Sequence, residues 1–311
     1  MKKISIMVPC YNEEENVVPM SEALVKTLEG MEGYDYEILF IDNFSVDSTR
    51  ALLREICAKN KKIRAIFNTK NFGQFNSPYY GLCQTTGDCT ISVCCDFQDP
   101  VEMIPVFVKE WEAGHKIVCG VKTSSKESKL MYFLRSIYYK MIKKMSSVEQ
   151  IEHFTGFGLY DKSFIDVLRN LGDPTPFIRG IVAELGPKIK KVEYEQQKRR
   201  AGKTSNNFYS LYDAAMLSFT SYTKIGLRLA TFGGVAMSGI SAFLGLIFFI
   251  LKLIDPSSFF LSNTAPIMLL IAFIGGIQLF FIGFLGEYIM NMNKRIMNRP
   301  LVVEEERINF D

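Results

Sequence analysis

The 311-residue chain carries 36 basic and 33 acidic residues, a formal net charge of +3, and is 48% hydrophobic. So small a charge excess gives no reason to expect a nucleic-acid partner, which would need several phosphates neutralised by clustered cations. The seven cysteines show no Cys-x-x-Cys spacing, and His115 and His153 stand apart from one another, which argues against a zinc site and for reduced cysteines used in packing.

An apolar strand, Ile4–Val8, opens the chain; the polar loop Pro9-Cys10-Tyr11-Asn12-Glu13-Glu14-Glu15-Asn16 follows, then a helical pattern through Leu24, Val25 and Leu28. A second strand, Tyr36–Ile41, ends at Asp42-Asn43-Phe44-Ser45-Val46-Asp47, before a helix over Arg50–Lys59. The third, Ile63–Phe67, runs into Asn68-Thr69-Lys70-Asn71-Phe72-Gly73 and a helix through Tyr79, Tyr80 and Leu82. A fourth, the buried apolar run Thr90–Cys95, is closed by Asp96 and the turn Phe97-Gln98-Asp99-Pro100, with Glu102 just behind. Repeated strand-loop-helix units predict a parallel sheet with right-handed crossovers. Asp42 and Asp96 then share the carboxyl edge, where ligands of open α/β sheets collect. A carboxylate there can hold Mg²⁺ against a substrate phosphate; it can equally well just open a turn before Pro100.

Beyond this unit lie Lys188-Ile189-Lys190-Lys191 and Gln196-Gln197-Lys198-Arg199-Arg200-Ala201-Gly202-Lys203-Thr204-Ser205. Guanidinium forks bind phosphate bidentately, so Arg199, Arg200 and Lys203 are candidate phosphate ligands. From Ser205 to Thr223, Phe208, Leu211, Tyr212, Ala215, Met216 and Phe219 recur at helical spacing, which fits a helix packed on the soluble domain or one lying on the membrane surface, and the position just before a span favours the surface. Two charge-free runs follow, Leu229–Leu251 and Ala265–Gly286, each long enough to cross the hydrocarbon core and joined through Lys252–Ser258. They predict a two-helix transmembrane hairpin whose glycines permit close helix approach and self-association. Lys224, Arg228, Lys294, Arg295 and Arg299 flank the hairpin and place both termini in the cytoplasm. The expected organisation is a catalytic domain over 1–204, an interfacial region over 205–224, the hairpin over 225–291 and a cytoplasmic tail over 292–311.

Pro9-x-Tyr11-Asn12-Glu13, Asp42-x-x-Ser45-x-Asp47, Asn71-Phe72-Gly73 and Asp96-Phe97-Gln98-Asp99-Pro100 occur in this order. Together they resemble the inverting family 2 glycosyltransferases of GT-A fold, in the branch that uses polyprenyl phosphate as acceptor. The resemblance implies a Rossmann-like α/β catalytic domain, a nucleotide-sugar donor, a polyprenyl-phosphate acceptor and a Mg²⁺ or Mn²⁺ cofactor. It implies donor contacts from Pro9, Tyr11, Asn12, Glu13, Asp42, Lys70, Asp96 and Gln98, with the metal on Asp96 and Gln98. Arg135-Ser136-Ile137-Tyr138-Tyr139 resembles the family's helix near the acceptor. Arg135, Ser136, Arg199, Arg200 and Lys203 are thereby candidates for the acceptor phosphate, and Asp96, Arg135, Arg199 and Arg200 for catalysis.

Several positions depart from the family pattern. Asn43 and Cys94 stand where acids are usual, Gly156-Phe157-Gly158 replaces an Asp-Phe-Arg run, and Ser205 replaces a lysine. These departures motivate a second reading, a catalytically silent membrane scaffold. A third, a processive polysaccharide synthase, calls for more than two spans and a Gln-x-x-Arg-Trp motif, whereas Arg200 follows Gln196-x-x-Arg199 here.

Overall fold

The computed structural model describes residues 1–123, 151–201, 264–297 and 299–310, with isolated positions between 213 and 254. The expected strand-loop-helix units form: β1 (Lys2–Cys10), α1 (Val17–Glu29), β2 (Tyr34–Asp42), α2 (Thr49–Lys59), β3 (Ile63–Asn68), α3 (Gly73–Gln84) and β4 (Cys89–Ser92). Then come α4 (Met103–Glu112), β5 (Ile117–Lys122), β6 (Phe154–Asp161), α5 (Lys162–Leu171), α6 (Ile178–Leu185), β7 (Ile189–Tyr194), α7 (Thr264–Met297) and β8 (Glu304–Ile308).

All eight strands join one sheet of order β7-β5-β6-β4-β1-β2-β3-β8. β1 pairs in parallel with both β2 and β4, β2 with β3, and β5 with β7, while β6 and β8 run antiparallel to their neighbours. Period-two alternation sends Ile4, Ile6 and Val8 to one face, where Val17, Met20 and Leu24 of α1, Leu53 of α2 and Phe107 of α4 cover them. Met7, Leu39 and Ile41 turn to the other, against Tyr79 and Leu82 of α3, Phe164 and Leu168 of α5 and Val182 of α6. The result is a three-layer α/β domain of GT-A type with a mostly parallel sheet.

Two boundaries differ from expectation. The fourth strand ends at Ser92 rather than Cys95, because the Cys94 N–H leaves the ladder and donates to Asp99 Oδ2 at 3.3 Å. Residues 304–308, read from sequence as tail, become an edge strand pairing with β3. Ile308 sits opposite Ala65, so this pairing is set by contacts remote in the chain.

The second apolar run lies within α7, a 34-residue helix whose segment Phe273–Met297 contains an 18-residue window of mean hydropathy 1.6. It is the one helix among the described residues long and apolar enough to cross a membrane. Its Leu279, Phe280 and Ile282 side chains are exposed. At its C-terminal end Arg295 pairs with Asp173 at 3.4 Å, in the connection between α5 and α6, so the helix end is tied to the catalytic domain. The described positions between 232 and 250 in the first run, and 253 and 254 after it, are helical; most of the expected connection Lys252–Ser258 lies outside the described residues, and among the described residues one candidate span is present where sequence led us to expect a pair.

Candidate active site

The sheet order reverses at β1, whose two neighbours are β2 and β4. This is the topological switch point, and the crevice outside the carboxyl ends of β1 and β4 is where such sheets bind ligands. Residues with positive φ shape the loops there: Asn12 (55°) after β1, Phe44 (70°) after β2 and Phe97 (61°) after β4. Non-glycine residues are uncommon in that region and collect at functional sites.

The first two loops are laced together. Asn12 N–H donates to Ser45 Oγ at 2.8 Å, Asn12 Oδ1 accepts from Val46 N–H at 2.9 Å, and Glu13 N–H donates to Thr49 Oγ1 at 2.8 Å. Asp42 is fully buried beneath them, accepting from Ser45 N–H and, at 2.9 Å, from Arg50 Nε. Burial pushes its carboxyl up, and Ser45 and Arg50 oppose the shift. Tyr11 stands at the rim, 37% exposed. Lys70 is exposed on the loop after β3, its ammonium 5.1 Å from the Phe72 ring centroid.

Asn43 acquires a physical reason for being an amide. Its Nδ2 donates to Asn71 Oδ1 at 2.9 Å and to Gly73 O at 3.3 Å, while its Oδ1 accepts from Phe72 N–H at 2.9 Å and from Asn68 Nδ2 at 3.3 Å. A carboxylate could reproduce the two accepting bonds and neither donating one. The Asn71-Phe72-Gly73 motif is therefore shaped by Asn43. The glycines at 156 and 158 are also required locally. A Cβ on Gly158 would stand 2.4 Å from the Val118 carbonyl oxygen, and Gly156 holds φ +106°.

Asp96 is 5% exposed at the foot of the crevice. Its Oδ1 accepts from Gln98 N–H at 3.1 Å, and its Oδ2 receives Arg199 Nε at 3.0 Å and Nη2 at 2.9 Å. Arg199 Nη2 also lies 3.8 Å from Glu13 Oε1. The segment carrying it is strapped down by Arg200 N–H to Asp96 O and Gln197 N–H to Gln98 O, both 3.2 Å. The Arg200 guanidinium lies 5.2 Å from the Phe97 ring centroid, within cation–π range. Burial pushes the Glu13 carboxyl up, and Asn16, which donates to it at 2.6 Å, pulls it back. Asp99 supports the turn from below, accepting from Tyr194 O–H at 3.0 Å; burial raises its carboxyl too.

Thus Glu13, Asp96, Arg199 and Arg200 converge, Tyr11 and Lys70 stand on neighbouring loops, and Gln98 adjoins Asp96 through its backbone. Asn12 and Asp42 spend their side chains on shaping the loops. Arg135, Ser136 and Lys203 lie outside the described residues. Among the described residues no group of three or more His, Cys, Asp or Glu is arranged to hold a metal. The oxygen chemistry around Asp96 nevertheless suits a hard divalent cation, and a positive group, the Arg199 guanidinium, already lies against its Oδ2. Asp96 and the Gln98 amide are the donors expected from sequence for such an ion, and Gln98 lies two residues from Asp96 on the same turn. Sequence reasoning missed Arg50, which grips Asp42; a basic residue in the first turn of a helix that follows an acidic loop was the available signal.

Residues 5–186 match the family model described as Glycosyl transferase family 2. The chain belongs to that family. Over nearly its whole length this glycosyltransferase is similar to a bactoprenol glucosyl transferase of Shigella phage SfX, at 30% identity over 98% of this chain and 99% of the relative. A prophage bactoprenol glucosyl transferase homolog of Escherichia coli strain K12 is 29% identical over 96% of this chain and 97% of its own. Among solved structures, glucosyl-3-phosphoglycerate synthase from Mycobacterium tuberculosis, in complex with Mn²⁺, UDP-glucose and phosphoglyceric acid, is 17% identical with a TM-score of 0.46. It covers 74% of this chain and 79% of that one, a likeness too loose to carry a residue's role across.

Proposed function

We propose that this glycosyltransferase moves one sugar from a UDP- or GDP-sugar to a polyprenyl phosphate, with inversion, producing a lipid-linked sugar. The observation that carries the reading is the meeting of Asp96, at the sheet's switch point, with Arg199 from the segment leading toward the apolar C-terminal helices. The relatives named bactoprenol glucosyl transferase support the acceptor class. The donor's nucleotide lies along Pro9, Tyr11, Asn12 and Glu13, over the loop built on Asp42, and its diphosphate runs between Lys70 and the Asp96-Phe97-Gln98 turn.

Leaving-group departure puts negative charge on the nucleoside diphosphate, and fixed cations at that position lower the barrier. Arg199 and Arg200 supply two of them, and Arg135 a third. A Mg²⁺ or Mn²⁺ ion on Asp96 and Gln98 supplies Lewis acidity toward the same phosphates when bound. The acceptor, a phosphate monoester with a second pKa of about 6, is already anionic at neutral pH. It needs positioning, by Arg135, Ser136, Arg200 and Lys203, rather than a base. Single displacement opposite the leaving group inverts the anomeric centre. The lipid tail stays in the bilayer beside α7, in an arrangement of two spans with the catalytic domain and both termini cytoplasmic; the basic residues flanking the apolar runs support that orientation.

The deciding experiment is transfer by detergent-purified protein to a C55 polyprenyl phosphate from a panel of UDP- and GDP-sugars, with Mg²⁺, with Mn²⁺ and with chelator. Formation of one lipid-linked monosaccharide, abolished by chelator, is the expected result. No product from any donor, together with no nucleotide binding, would favour the silent scaffold.

A further inference from the structure

The C-terminal strand is joined to the donor side of the crevice by more than the β3 ladder. Thr69, just before Lys70, donates to the Val303 carbonyl from its backbone at 3.0 Å and from its hydroxyl at 3.1 Å. The acidic run Glu304-Glu305-Glu306 finds a separate arginine for each member: Arg307, Arg50 and Arg54 respectively. Only the middle pair reaches the site. The Arg50 Nε donates to Asp42 Oδ2 at 2.9 Å, and its Nη2 donates at 2.9 Å both to the Asn68 carbonyl and to Glu305 Oε2. The guanidinium also sits 5.7 Å from the Phe44 ring centroid and 5.2 Å from that of Phe67. One side chain thus ties together the end of β2, the end of β3 and the tail strand.

The carboxylate it grips, Asp42, fixes the turn through Ser45, and Ser45 Oγ receives the Asn12 N–H. We propose that Arg50, oriented by Glu305 of the tail strand, is a positioning residue that sets the donor-binding loops. This rests on the nucleotide-sugar reading above. Arg50 does not touch donor in this scheme; it acts through Asp42. Glu305 acts on Arg50 at a half-exposed ion pair, 49% exposed on the glutamate side, so its contribution is modest. Glu306, next in the strand, pairs with Arg54 on α2 and makes no contact with Asp42, which makes it the internal control.

The test uses full-length protein in detergent, with UDP and GDP plus Mn²⁺ as calorimetric probes and with steady-state transfer kinetics. E305Q is expected to weaken nucleotide binding and raise donor KM by about two- to fivefold, the scale of one half-exposed pair. Acceptor KM and kcat stay within twofold. R50K keeps a cation beside Asp42 and loses the fork that spans three partners; donor KM rises at least about tenfold. E306Q leaves nucleotide affinity at the parental value. Equal effects of E305Q and E306Q, or parental nucleotide affinity in R50K, overturn the proposal. If the parent itself binds neither nucleotide and transfers no sugar, the functional reading has failed, and that is seen before any variant is compared.

Discussion

Restoring an acid at position 43, where the family usually has one, should harm this protein. N43D removes both amide donors while their acceptors, Asn71 Oδ1 and Gly73 O, stay in place. Position 43 is 8% exposed, so water offers little compensation. Two lost donors in such a place cost about 1–3 kcal/mol each, and the new carboxylate gains roughly half of that back from charge-assisted bonds to Phe72 N–H and Asn68 Nδ2. The net loss is about 2 kcal/mol. Urea unfolding followed by fluorescence reads it directly, because Trp111, the single tryptophan, is buried and its indole N–H donates to Asp161 at 2.8 Å. The pH dependence sharpens the test. Burial raises the folded-state pKa of the new group above its unfolded value, so the folded state binds more protons and the deficit shrinks as pH falls from 7.5 toward 5.5. A protonated acid also regains one donor. An N43D midpoint equal to the parent's at pH 7.5, or a deficit that grows on acidification, would refute the assignment of Asn43 as the amide that shapes the Asn71-Phe72-Gly73 loop.

D96A should abolish transfer while leaving membrane insertion intact, and a variant within a few-fold of parental turnover would remove Asp96 from the chemistry. R199Q frees Asp96 Oδ2 from its guanidinium partner; donor-free protein should then bind Mn²⁺ at least about tenfold more tightly, read by paramagnetic resonance, although transfer itself falls. Unchanged or weaker Mn²⁺ binding would mean that the ion does not compete with Arg199 for that oxygen. G158A drives a methyl group into the Val118 carbonyl, 2.4 Å from the ideal Cβ position, and should cost about 3 kcal/mol, visible as a lower unfolding midpoint.

The parallel half of the sheet was legible because β1 to β4 are near-continuous apolar runs, each ending in a polar loop, and that periodicity is local. The convergence of Asp96 with the Arg199 segment was anticipated through the motif resemblance; spacing alone could not bring together residues 103 apart. β8 escaped notice because Glu304-Glu305-Glu306-Arg307 lacks the apolar run of a core strand. It is an edge strand, and its charges are matched from α2 and from within the strand itself. Asn43, Gly156 and Gly158 read as departures from a pattern, and only three-dimensional neighbours reveal what each does: an amide bridging two loops, a left-handed backbone, and a backbone approach too close for a side chain.

The order of β8 in the chain has a biosynthetic consequence. Its neighbour segment at Val303 lies 234 residues beyond Thr69, the residue it steadies, and α7 is translated between them. At about 5–20 residues per second, ribosomal synthesis leaves the β3 edge uncovered for roughly 10–50 s. During that interval the sheet has an open edge at β3. That edge can be covered by β8 only after α7 has been made.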